Sequence, residues 1–170
     1  MSKLSLTING APRELEVEPG DTLLDTLREL GYHGVKRGCE AGTCGSCVVL
    51  VDGEPRFSCI LLSATLAGAS VTTVEGLGSP ERPHPIMQAF AEEAGVQCGY
   101  CVPGMVLSTK ALLEEVERPT EHEVKEALDA HLCRCTGYVK QIKAVLRAAD
   151  LVANVDGGVG GGATTKKEVG

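Results

Sequence analysis

The sequence predicts an α+β protein in two parts, a small sheet-and-helix domain followed by an all-helical one. Three observations carry this. Apolar residues alternate with polar ones early in the chain and fall at helical spacing after residue 85. Between the two patterns lies Glu75-Gly-Leu-Gly-Ser-Pro-Glu-Arg-Pro-His-Pro85, dense in Gly and Pro, which reads as a linker over 77–85. The eight cysteines divide into four on each side of it.

In the first part, Leu4, Leu6 and Ile8 alternate with polar residues, and Asn9-Gly10 supplies a hairpin turn. Leu15 and Val17 continue the alternation in a second strand. Pro19-Gly20 breaks it, and Asp21 or Thr22 can cap a helix. Leu23, Leu24, Leu27 and Leu30 share one helical face, with Gly31 just past its end. A Gly-rich loop runs from Gly31 to Cys47. Val48–Val51 reads as a strand, Asp52-Gly53 as a turn and Val71–Val74 as the closing strand. Hairpin, helix, loop and further strands, over residues 1–76, make a β-grasp (ubiquitin-like) sheet.

The second part, 86–153, reads as four helices. Ile86–Ala94 forms one, ended by Gly95. Pro103 opens the next, with Met105, Val106, Thr109, Leu112 and Leu113 on its apolar side. Thr120-Glu121-His122-Glu123 is a capping box that starts a third. Tyr138–Val152 makes a fourth, lined by Val139, Ile142, Val145 and Leu146. Four short helices imply a small antiparallel bundle. The Gly-rich segment 154–170 reads as a flexible tail.

Composition narrows the function. The formal charge of −7 disfavours nucleic acid and anionic membrane as partners. No run of about 18 apolar residues exists to span a bilayer. The opening residues show neither an apolar signal core nor a twin-arginine pair, so the expected setting is the cytoplasm. There, clustered cysteines serve as metal ligands more often than as disulfides. With no Trp and only two Phe, metal staples would also support a limited core.

Cys39, Cys44, Cys47 and Cys59 form C-x4-C-x2-C-x11-C, the spacing of a plant-type [2Fe–2S] site. Such a core needs four soft anionic ligands, two per iron. Gly38, Gly42 and Gly45 permit left-handed backbone and close approach, so that amide N–H groups can point at sulfur. Cys98, Cys101, Cys133 and Cys135 form C-x2-C-x31-C-x-C. Both of its cysteine loops precede helix starts, whose partial positive charge favours an anionic cluster. Two clusters imply a protein that carries electrons.

Four-thiolate zinc is the chemical competitor, although neither spacing is that of a usual zinc site. His33, His84, His122 and His131 lack metal-type spacing; surface or packing roles suit them, and His131, two residues before Cys133, can approach a cluster. Lys36, Arg37 and Arg134 flank cysteines and could offset cluster charge or simply lie in solvent. No hydrolytic triad or phosphate-binding loop is present.

Taken together, Gly38-Cys39-Glu40-Ala41-Gly42-Thr43-Cys44-Gly45-Ser46-Cys47, Gln97-Cys98-Gly99-Tyr100-Cys101-Val102-Pro103-Gly104 and Leu132-Cys133-Arg134-Cys135-Thr136-Gly137-Tyr138 resemble the small iron–sulfur subunit of the molybdenum hydroxylases, the xanthine oxidase family. The resemblance covers roughly residues 3–153. It implies a β-grasp ferredoxin-like domain followed by a four-helix [2Fe–2S] domain. It implies two [2Fe–2S] clusters here, with a molybdopterin-type cofactor on a large partner subunit and FAD on a medium one, in a dimer of heterotrimers. By motif position, Gln97 and Cys135 approach the pterin, and electrons run from molybdenum through the Cys98/Cys101/Cys133/Cys135 centre. The Cys39/Cys44/Cys47/Cys59 centre then passes them to FAD. Relatives commonly have Asn where His131 stands and Thr or Ser where Val102 stands; neither position is an expected iron ligand.

A stand-alone two-cluster ferredoxin is the alternative function, and a zinc- or disulfide-stapled interaction module the third. The subunit reading requires apolar surface left bare for partners, whereas a free carrier should not show it.

Overall fold

The computed structural model describes residues 2–156, with side chains as far as Asn154. Among these, five strands form one sheet of order β2-β1-β5-β3-β4. Strands β1 (Ser2–Ile8) and β2 (Ala11–Val17) make the expected antiparallel hairpin, and Asn9 and Gly10 turn it with φ of 51° and 79°. Helix α1 (Leu23–Glu29) follows. Thr22 caps it by accepting from the Asp25 N–H, and Gly31 takes the left-handed turn beyond its end at φ 89°.

Strands β3 (Val48–Val51) and β4 (Glu54–Phe57) form a second hairpin, and β5 (Ser70–Thr72) lies between β1 (parallel) and β3 (antiparallel). Leu23, Leu24 and Leu27 of α1 pack on Leu4, Leu6, Ile8, Val17, Val49 and Val71 of the sheet. That is the helix-on-sheet arrangement of a β-grasp domain. The closing strand ends at Thr72, earlier than expected. Asn9 Oδ1 accepts from the Thr73 N–H at 2.8 Å, and Val74–Gly76 winds into a single helical turn.

The 77–85 segment connects the two parts through a tight turn. Ser79 and Arg82 exchange backbone hydrogen bonds of 3.2 and 3.1 Å, and Leu77 packs against the core of the helical part. Four helices follow: α2 (Pro85–Glu92), α3 (Val102–Glu115), α4 (Glu121–Leu128) and α5 (Val139–Asp156). The capping box at Thr120 and Glu123 is complete. Helix α5 runs past its expected end at Val152, so the tail read from 154 lies in helix to 156 and otherwise outside the described residues.

Two helices bury different faces from those expected. In α5 the buried residues are Gln141, Ala144, Val145, Ala148 and Ala149, whereas Val139 is 61% exposed. Small residues let α5 lie close against Ala89 of α2, so the face richest in methyl groups is not the one turned inward. Helix α3 is buried over most of its circumference because it is shared. Met105 and Val106 face the bundle, and Leu107 and Ala111 pack on Val48 and Leu50 of β3. The two parts of the chain thus share one helix as common core.

Phe90 is the largest fully buried side chain of the helical part. Phe90→Ala should cost about 3–5 kcal/mol through lost burial and the cavity left behind, read as a lowered denaturation midpoint of the cluster-loaded chain.

Candidate iron–sulfur sites

The structure assembles the cysteines in pairs. Cys39 lies beside Cys44, and Cys47 beside Cys59. In the second set, Cys101 meets Cys133 and Cys98 meets Cys135. All eight are free thiols. Two adjacent pairs are what a [2Fe–2S] core asks for, one pair to each iron.

Each set has an inner and an outer side. Cys47 and Cys59 are buried beneath the first loop, and Cys39 is exposed. Ser58 closes the inner side by donating Oγ–H to the Cys47 carbonyl at 2.7 Å. Burial, with Cys59 beside it, pushes the Cys47 thiol up to about 11. Cys39 moves the other way: the Thr43 side chain and the N–H groups of Ala41 and Thr43, at 3.3 and 3.4 Å, bring it down to about 6. These amides are aimed at sulfur, as the glycine-rich loop suggests.

The glycines divide the work. Gly42 takes a left-handed φ of 68°, whereas Gly38 is needed for space: a Cβ there would sit 2.7 Å from Cys44 Sγ. Gly45, at φ 73°, serves a different purpose from the one expected. A Cβ on it would meet His131 Nδ1 at 2.3 Å and the Ala130 carbonyl at 2.5 Å, so it opens a seam to the helical domain.

In the second set Cys101 is buried, while Cys98 and Cys135 are exposed. Burial, with Cys133 beside it, raises the Cys101 thiol to about 11. Burial also works to raise Cys133, but hydrogen bonds from Thr136 Oγ1 and from the Cys135 and Thr136 backbone more than offset it and bring it to about 7. Tyr138 enters α5 in left-handed backbone, φ 68°, unusual for a bulky residue. Its hydroxyl holds it there, accepting from the Cys133 N–H at 2.8 Å and donating to the His131 carbonyl at 3.0 Å.

The two sets are joined by hydrogen bonds to backbone carbonyls. The Leu132 N–H donates to the Cys44 carbonyl at 3.0 Å, and the Tyr100 hydroxyl donates to the Arg37 carbonyl. His131 lies in this seam, 1% exposed, with Nε2 2.8 Å from Ser108 Oγ. Burial drives its pKa down to about 4, opposed by the Gly45 backbone, so the ring is neutral at physiological pH. It is a packing residue of the interface. His33 and His122 lie on the surface, and His84 caps α2. Arg37 is engaged by Asp25 and Glu40, so its charge is already matched by carboxylates.

Residues 6–71 match the 2Fe-2S iron-sulfur cluster binding domain, and residues 73–146 match the [2Fe-2S] binding domain. The nicotinate dehydrogenase small FeS subunit of Eubacterium barkeri is 42% identical over 152 residues, 89% of this chain and 97% of its own length. The xanthine dehydrogenase iron-sulfur-binding subunit of Escherichia coli O157:H7 is 42% identical over 145 residues, 84% of this chain and 91% of its own length. The aldehyde oxidoreductase of Desulfovibrio gigas superposes with a TM-score of 0.88 at 39% identity, over 91% of this chain and 18% of that larger one. The chain belongs to the iron–sulfur subunits of the molybdenum hydroxylase family. In that family's terms, it carries two [2Fe–2S]-binding domains and serves electron transfer within an oxidoreductase.

Sequence patterns alone do not pick out Gly104, Ser108, Thr136, Tyr138 or Gln141 for these roles. A Cβ on Gly104 would lie 2.3 Å from the Gly45 carbonyl oxygen. Gly→Ala in a helix ordinarily stabilises by up to about 1 kcal/mol. Gly104→Ala should reverse that sign and lower the melting temperature of the loaded chain; a raised one would show that the two domains do not meet there.

Proposed function

We propose that this chain relays electrons from a molybdenum–pterin site on a large partner subunit to FAD on a medium partner subunit. Cys98, Cys101, Cys133 and Cys135 hold the first centre in the relay, and Cys39, Cys44, Cys47 and Cys59 hold the second. When bound, each [2Fe–2S] cluster accepts and releases one electron. The rest is positioning by the protein. Buried Cys47, Cys59 and Cys101 exclude water from the inner side of each set, and exposed Cys39, Cys98 and Cys135 present the outer side to partners.

The observation that carries this reading is the Leu132 N–H to Cys44 C=O hydrogen bond. Leu132 precedes Cys133, so one 3.0 Å contact completes a path of short covalent stretches from a ligand of one centre to a ligand of the other. Gln97 and Cys135 are both exposed, which leaves them accessible to a pterin held by the large subunit. Val96, Tyr100, Leu132 and Val139, close in sequence to the second set of cysteines, are exposed at 42–62%. Apolar side chains left bare there favour a docked subunit over a free carrier.

Substrate selection then rests with the molybdenum subunit. The assembly implied is a cytoplasmic dimer of heterotrimers. No helix among the described residues is long and apolar enough to cross a membrane.

Cys135→Ser tests the assignment. The variant should lose the EPR signal of the helical-domain cluster, keep that of the other, and block electron exit from molybdenum in the assembled enzyme. Both signals intact with full turnover would show that Cys135 is not a ligand.

A further inference from the structure

Among the described residues, Gln141 is the one fully buried side-chain amide of the helical domain, 0% exposed, and it stands beside the inner cysteine pair. Its Nε2 lies 3.6 Å from Cys101 Sγ and 3.5 Å from Cys133 Sγ, so its two N–H bonds serve two sulfurs of one pair. Its Oε1 lies 2.9 Å from Thr136 Oγ1, whose one proton is shared between that oxygen and Cys133 Sγ at 3.1 Å. Chemistry fixes the orientation of this amide, because a thiolate ligand can only accept and the carbonyl end would repel it. Thr136 is held in turn by the Tyr138 N–H at 3.2 Å, so the donor is oriented by the same turn that carries the cysteines.

We propose that Gln141 sets the reduction potential of the helical-domain cluster by donating to both thiolates of the Cys101/Cys133 pair. This rests on the ligand assignment above. Reduction adds one electron and moves no atom, and the added negative charge is shared with the cysteine sulfurs. Donors aimed at those sulfurs stabilise the reduced form more than the oxidised one, and so raise the potential. Burial strengthens the effect, since no water competes for the amide and the local dielectric is low. The Cys98/Cys135 pair is exposed, and among the described residues no side-chain amide donates to it. Burial by itself disfavours added negative charge at the inner pair, and the Gln141 N–H groups offset that cost. That pair includes Cys133, the residue next to the Leu132 link to the other centre. Gln141 thus acts as a positioning residue: it touches the ligands, and through them raises the potential of the cluster they hold.

The test is a redox titration of the full, cluster-loaded chain followed by EPR, with the ferredoxin-domain cluster as internal reference. In Gln141→Leu the reduced-to-oxidised ratio of the helical-domain cluster at fixed potential should fall about tenfold, a midpoint about 59 mV lower for one electron. Gln141→Glu should fall further, since a carboxylate replaces the donor. The reference cluster should not move in either. An unchanged helical-domain midpoint in Gln141→Leu, or an equal shift of both clusters, would overturn the proposal. If Gln141→Leu fails to assemble that cluster, Gln141→Asn carries the same expectation, being one methylene short of the sulfurs. Loss of the cluster from both variants would assign Gln141 a purely structural part and also overturn it. Failure of the ligand assignment itself is distinguishable, because the second signal would then be absent from the unsubstituted chain.

Discussion

The structure depends on a close approach of two backbones where Gly45 meets Gly104. With no side chain on either, the first cysteine loop lies directly on the start of α3, and His131 fills the remaining space. The contact is buried: His131 Nε2 meets Ser108 and the Cys44 carbonyl accepts from Leu132, while His131 Nδ1 is left without a side-chain or backbone partner among the described residues. Leaving the paired groups without partners while buried would cost about 1–3 kcal/mol each. The seam therefore holds the two domains in one relative placement. Electron transfer between two centres needs that fixity, since rates fall steeply with distance and a hinge would vary it.

The cysteine chemistry explains why metal and fold go together. Under the proposed ligand assignment, thiols such as Cys47 and Cys101, raised to about 11 by burial, are protonated at neutral pH until a metal takes the place of the proton. Cys39 and Cys133, at about 6 and 7, give up theirs far more readily. Loading therefore displaces the protons of Cys47 and Cys101. It also gives the cysteines of each set, which the chain gathers only as pairs, a common partner.

Much of this was legible in the sequence because the signals were local. Asn9-Gly10, the Leu23/Leu24/Leu27 face and the Thr120 capping box each declare an element within a few residues. The cysteine spacings declare two centres. What the sequence hid was non-local. Strand β4, Glu54-Pro55-Arg56-Phe57, has no apolar alternation because it is an edge strand whose first three residues are exposed. Helix α3 looked one-sided because nothing in its own pattern says that Leu107 and Ala111 meet β3. Gln141 reads as an ordinary polar residue near a helix start; only folding brings it to two sulfurs from loops 40 and 8 residues away. A Gln at the same helical face as Ala144, Val145 and Ala148 was the available signal, and the larger methyl-bearing residues outshone it.

The central claim is that one rigid chain holds two distinct [2Fe–2S] centres. Iron and acid-labile sulfide on anaerobically purified protein, with EPR of the dithionite-reduced sample, test it most directly. The prediction is about four irons and four sulfides per chain, with two distinguishable signals from reduced clusters. Zinc in place of iron, or a single cluster with the helical-domain cysteines empty, would contradict it.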